Sequence, residues 1–133
     1  VKDVVAHVLS REQHLADRMA EIARGEPVRV SMSHAALDAF IEEFGYPDFD
    51  SPLLSAAAAD DWVVRKYRSV PMEEVIADEL QAFSALISAV QSLPAQQLEA
   101  FGLPPRILQA TADHYRLHGA DIRRRFKRVL RQR

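Results

Sequence analysis

Apolar residues recur along most of this chain at intervals of three and four, whereas the strict alternation of a β-strand is nearly absent. The first such stretch begins at Val1 and continues to about Ala23, where Gly25 and Pro27 interrupt it. Residues at this spacing share one face of an α-helix, so the stretch predicts an amphipathic helix. Its core-facing residues are Val1, Val5, Val8, Leu15, Met19 and Ile22.

Three polar residues of this first helix stand out. Glu12 interrupts the apolar stripe, and a carboxylate at a core-facing position requires a partner such as a cation, an arginine or a metal-bound histidine. His7 and His14 lie on one flank of the helix, which we place at the edge of the stripe rather than at its centre.

A second, shorter helix is predicted to end at Phe44, followed by Gly45. Either Ser31 or Ser33 is suited to cap its N-terminus. Residues 46–52 are dense in turn-forming residues and predict an irregular loop.

A short helix around Trp62 follows, and its acidic residues Asp60 and Asp61 are explained by the helix dipole. A long helix then opens at Pro71 and continues to about Leu93 without an internal glycine or proline. The core stripe predicted for this long helix is Val75, Ile76, Leu80, Phe83, Ile87 and Val90.

After a brief helical turn closed by Gly102, Pro104 and Pro105 open the final helix. The apolar stripe of this helix runs through Ile107, Thr111, His114, His118, Ile122, Phe126 and Val129. Helices without strands predict an all-α fold, which we expect to be a single antiparallel bundle domain spanning residues 1–133.

His114 and His118 lie four residues apart, so both imidazoles project from one face of the final helix and can reach a single point. Both fall on the core-facing stripe, where an imidazole needs a partner. A shared metal ion is one such partner, and hydrogen bonds within the core are the other. A third ligand nearby would favour the metal.

Composition narrows the function classes. The chain has a net charge of −2, so a nucleic-acid or anionic-membrane partner is not expected, and the basic run at residues 123–133 is better explained as a solvated helix end. The chain contains no cysteine, which excludes disulfides, thiolate ligands and a cysteine nucleophile. Neither a membrane-spanning run nor a signal peptide is recognised, and we expect a cytoplasmic protein.

Two motifs resemble those of the DinB-like superfamily of metal-binding four-helix bundles. The segment from Lys2 to Val8, with Glu12 shortly after it, is similar to the second-helix motif of that family, and the segment from His114 to Ile122 is similar to its fourth-helix motif. The stretch at residues 62–75 is similar to the entry into the third helix. The family's first helix has no counterpart here, so we expect a segment that precedes this sequence.

The resemblance implies a metal site formed by His7, His114 and His118, with His14 as an alternative to His7. Three imidazoles around a divalent ion, of which zinc or nickel is expected, leave a position open for water or substrate. Glu12 and Asp121 are candidates to orient these ligands, although Asp121 has the alternative of an ion pair with a nearby arginine.

For function, the resemblance implies a metal-dependent transferase or hydrolase. Relatives of this kind include maleylpyruvate isomerase N-terminal domains and transferases that use bacillithiol, mycothiol or glutathione. Because the chain has no cysteine, a low-molecular-weight thiol would have to be a cosubstrate beside the small-molecule substrate. The alternative is a non-catalytic helical protein with core histidines, and in either case we expect a homodimer that covers exposed apolar surface.

Overall fold

The computed structural model describes residues 2–27, 29–110, 128 and 131. The described part is all-helical and has no β-strand, as the sequence predicts. Within these ranges, none of the helices combines the length and the apolar character needed to cross a membrane. The helices are α1 (Lys2–Ala23), α2 (His34–Phe44), α3 (Ala56–Tyr67), α4 (Met72–Ser92), α5 (Ala95–Ala100) and α6 (Leu103–Ala110).

Helix α1 is the centre of the described structure, because it packs along the length of α4 and also contacts α3 and α6. Because these helices lie on several sides of α1, they bury more of its surface than a single apolar stripe. Two apolar clusters result. One contains Leu15, Ala16, Met19, Ile22, Leu86, Leu93 and Leu103, and the other contains Ala6, Leu9, Val63, Tyr67, Val75 and Ala82.

The helix ends follow local sequence signals. Ser33 is the N-cap of α2, where its hydroxyl accepts a hydrogen bond from the N–H of Ala36 at 3.1 Å, and Ser55 caps α3 in the same way. Gly45 closes α2 in the left-handed conformation with φ +77°. Of the two candidate caps, Ser31 is instead buried, beside the loop that follows α2.

The buried face of α4 confirms the prediction at Val75 and differs from it at Ile76, Leu80 and Ile87. Val75, Ala82 and Leu86 are fully buried, whereas Ile76, Leu80 and Ile87 are 42–60% exposed. The two faces lie about 120° apart around the helix. The prediction placed the large aliphatic residues of α4 in the core. It overlooked the buried face because that face contains the small side chain of Ala82.

Candidate functional site

One face of α1 forms the wall of a cavity of about 350 Å³, which we call the α1 cavity. The wall residues of α1 follow helical spacing, so they share one side of the helix. The irregular loop at residues 46–52 supplies a second wall and the C-terminal half of α6 a third. The lining residues are His7, Arg11, His14, Leu15, Phe49, Asp50, Arg106, Gln109 and Ala110.

His7 lies in this wall with its side chain 25% exposed. Its Nδ1 is 2.9 Å from Oδ1 of Asp60, at the first turns of α3. A carboxylate on one ring nitrogen fixes the tautomer and the orientation of an imidazole, and metal-binding histidines commonly have such a partner. His7 and Asp60 therefore form a contact between α1 and α3 of the kind found beside metal-binding histidines.

His14 is buried, not at the edge of the apolar stripe as the sequence indicated. Its Nε2 lies 3.2 Å from Oδ1 of Asp48. Its ring is surrounded by those of Phe40, Tyr46 and Phe49, with centroids 5.4 to 6.0 Å away. This environment is one that satisfies a core histidine without a further ligand.

Asp48 joins the loop to α1 and to the segment before α2. It is 1% exposed, and its carboxylate accepts hydrogen bonds from His14, from the Ser31 N–H at 2.8 Å and from the Asp50 N–H at 3.1 Å. Burial alone would raise the pKa of this carboxyl, but the hydrogen bonds outweigh burial and hold the pKa below its usual range.

His14, Asp48 and Asp50 form a cluster that could hold a metal ion, because one ligand atom from each lies within 4.8 Å of the others. The same cluster is also held together by hydrogen bonds. Nη2 of Arg106 donates to both carboxylate oxygens of Asp50, at 3.0 and 3.1 Å. A metal bound by all three residues would have to compete with Arg106 and with the hydrogen bond between His14 and Asp48.

Arg11 is the other cation in the cavity wall, with its side chain 29% exposed. Its guanidinium carbon lies 4.2 Å from the ring centroid of Phe49, a cation–π contact. Its Nη2 is 3.7 Å from Oδ1 of Asp60, longer than a hydrogen bond. Burial lowers the pKa of Arg11, and the charges of Asp60 and Asp50 only partly oppose this effect.

The remaining predicted site residues have different outcomes. Glu12 is fully buried, as its position in the apolar stripe indicates, and it leaves α1 about 140° around the helix from His7. His114, His118 and Asp121 lie outside the described residues. The structure therefore brings two of the predicted site residues, His7 and His14, to one cavity.

Sequence reasoning missed the two arginines of this site and three of its aspartates. Asp60 was assigned to the helix dipole, but its carboxylate contacts His7. Asp48 and Asp50 belong to the segment that was predicted only to be an irregular loop. Two aspartates in a turn-rich segment carry no local signal of a binding role, since such residues are ordinary turn formers.

Comparison with known proteins finds no matching family model, no matching curated protein and no matching solved structure. Function is therefore inferred from the residues and motifs of this chain.

Proposed function

We propose that this chain is a DinB-like helical protein that binds a divalent metal ion in the α1 cavity. The observation that carries the proposal is His7, which lines the cavity with its Nδ1 2.9 Å from the carboxylate of Asp60. A histidine oriented by a carboxylate at the wall of a cavity has the arrangement of a metal ligand.

We further propose His114 and His118 as the other two ligands, with zinc or nickel as the metal. Gln109 and Ala110, at the end of α6, line the cavity. His114 follows Ala110 by one helical turn in the sequence, which supports a place near the same cavity. Three imidazoles would leave at least one coordination position open.

The cluster of His14, Asp48 and Asp50 is the second candidate for the metal. It offers one nitrogen and two oxygen ligands, a set that zinc and other divalent ions accept. We rank it second because Asp48 already accepts three hydrogen bonds and Asp50 already pairs with Arg106.

The proposed chemistry follows from the open position. A bound divalent ion lowers the pKa of water toward neutrality, or it binds the thiolate of a low-molecular-weight thiol. We therefore propose a metal-dependent transferase or hydrolase. A cavity of about 350 Å³ falls in the range of small-molecule sites.

The competing function is a non-catalytic helical protein with core histidines. His14 supports it, because aromatic rings and Asp48 satisfy this buried imidazole without an ion. Metal content distinguishes the two functions.

The test is elemental analysis of protein purified without chelator and without a histidine tag. The parent is compared with His7→Ala, with the double variant His114→Ala/His118→Ala, and with His34→Ala as a control at an exposed histidine of α2. We expect about one zinc or nickel per chain in the parent and in the control, and loss of the metal from the other two variants.

Two results would overturn parts of the proposal. If Asp50→Asn loses the metal while the double histidine variant keeps it, the ion belongs to His14, Asp48 and Asp50. If the parent is metal-free and takes up no added divalent ion, the metal function is refuted and the non-catalytic function stands.

A further inference from the structure

We propose that Arg11 and Arg106 form a carboxylate subsite in the α1 cavity, so that the ligand of this protein is a small organic carboxylate. The inference rests on the proposed function in one respect, since the carboxylate would lie beside the proposed metal. The subsite itself is argued from described residues alone.

Arg11 has the features of an anion-binding arginine. The face of its guanidinium lies against Phe49, which leaves the edge that carries the N–H groups for a ligand. Its nearest carboxylate oxygen, on Asp60, is 3.7 Å from Nη2 and lies only 2.9 Å from Nδ1 of His7. Oδ1 of Asp60 thus lies closer to the histidine than to Arg11.

The side chain of Arg11 is 29% exposed in the cavity wall, so its N–H groups are accessible to a ligand. A guanidinium removed from water is stabilised by hydrogen bonds to an anion, and its planar edge matches the two oxygens of a carboxylate. Its contact with Asp60 is a long ion pair of 3.7 Å, which does not reach the distance of a charge-assisted hydrogen bond. A ligand carboxylate in the cavity would supply such a bond.

Arg106 adds a second cation to the same cavity from α6. Both of its hydrogen bonds to Asp50 come from a single nitrogen, Nη2. An arginine has five N–H donors, so donors beyond that nitrogen are available for a ligand. Arginines on two different elements can bind a carboxylate or a dicarboxylate between them.

The apolar part of the wall favours an organic ligand over an inorganic anion. Leu15, Phe49 and Ala110 lie in the same wall as the two arginines. Small-molecule sites commonly combine an apolar lining with a few charged groups that fix orientation. A short carbon chain ending in a carboxylate fits both parts of the wall.

The charge of the site favours a carboxylate when a divalent ion is bound. The two arginines face Asp50 and Asp60, so the four charges sum to zero. A divalent metal in the cavity would make the site cationic, and a bound carboxylate would offset part of that charge.

The test is calorimetric titration of succinate at constant ionic strength, with both metal-free and zinc-loaded protein. Arg11→Gln removes the charge, Arg11→Lys keeps the charge without the planar edge, and Arg65→Gln is the control at an exposed arginine of α3. We expect Kd to rise about tenfold or more in Arg11→Gln and by a smaller factor in Arg11→Lys, with no change in Arg65→Gln.

Circular dichroism establishes whether each variant is folded. If Arg11→Gln is unfolded, the affinity of Arg11→Lys decides the test. The subsite is refuted if neither form of the parent binds succinate, or if the Arg11 variants bind it as the parent does. Inorganic phosphate binding as tightly as succinate, with the same dependence on Arg11, would overturn the assignment to an organic carboxylate.

The subsite and the metal site fail separately in this design. Zinc uptake without succinate binding refutes the subsite and leaves the metal site intact. Succinate binding that depends on Arg11, in a protein that takes up no divalent ion, refutes the metal site and leaves the subsite intact.

Discussion

Replacing Asp48 by alanine removes the carboxylate that joins the loop at residues 46–52 to α1. In the parent this carboxylate accepts hydrogen bonds from His14, Ser31 and Asp50. His14 and Ser31 are themselves buried, so their donors lose their partner in a site that water does not easily reach. The substitution should therefore lower the free energy of unfolding substantially.

The magnitude follows from those two buried donors. Each buried donor left without an acceptor costs about 1–3 kcal/mol, which gives a loss of about 4 kcal/mol for Asp48→Ala. For a domain of this size that loss corresponds to a fall in Tm of roughly 15 °C. Asp48→Asn keeps one oxygen and should lose about half as much free energy.

Urea unfolding at pH 7, followed by far-UV circular dichroism, measures this loss. Asp50→Asn is the matched control in the same loop, because its carboxylate makes only a partly exposed ion pair with Arg106. Such pairs contribute about 1 kcal/mol or less. Equal unfolding free energies for Asp48→Ala and Asp50→Asn would refute the structural role of Asp48.

Acid provides a second measurement of the same interaction. The pKa of Asp48 is held below its usual range in the folded protein, so the ionised carboxylate stabilises the fold. This contribution is fully present above the unfolded pKa of about 4 and is lost as the pH falls below that value. The difference between the parent and Asp48→Ala should therefore shrink below about pH 4, and a difference that is independent of pH would contradict the argument.

Three further predictions concern stability and are measured by urea unfolding. Leu86→Ala should lower the free energy of unfolding by about 2–5 kcal/mol because Leu86 is fully buried. Ile87→Ala is the control, and it should lower this free energy much less because Ile87 is 42% exposed. Burial, together with the hydrogen bond to Asp17, raises the pKa of Tyr46, so the neutral phenol stabilises the fold below about pH 10 and this contribution is lost at higher pH. When the pH is raised above 10, the unfolding free energy of Tyr46→Phe should therefore fall less than that of the parent. An equal fall in both proteins would contradict this. Ser33→Ala should cost about 1 kcal/mol through loss of the α2 cap, and an unchanged midpoint would count against the cap.

The helices could be predicted from the sequence because their boundaries are local. Gly45 permits the left-handed turn that ends α2, and Pro71 precedes α4 in the extended conformation that its ring favours. Each signal acts within a few residues and does not depend on the rest of the fold. The all-α class followed from the same local pattern.

The buried face of α4 could not be predicted in the same way. Periodicity shows that a helix has an apolar stripe, but it does not show which stripe faces the neighbouring helix. On α4 the face containing Ala82 is buried and the face containing Leu80 is exposed. The choice is made by packing against α1, which is not encoded within α4 alone.

The site could be predicted only in part for a similar reason. His7 was identified from its motif, and the structure places it in the cavity wall. Its contact with Asp60 joins α1 to α3, and the contact between His14 and Asp48 joins residues 34 positions apart. Such pairings depend on the tertiary fold, so no short window of sequence contains them.

Four residues of the α1 cavity come from one uninterrupted helix, and this has a consequence for insertions and deletions. His7, Arg11 and His14 share a face only because the intervening residues complete whole turns. One added or deleted residue between His7 and His14 would rotate the two apart by about 100° and separate them between two faces. We therefore expect length changes to be tolerated in the exposed connection at residues 24–27 and excluded from residues 7–14.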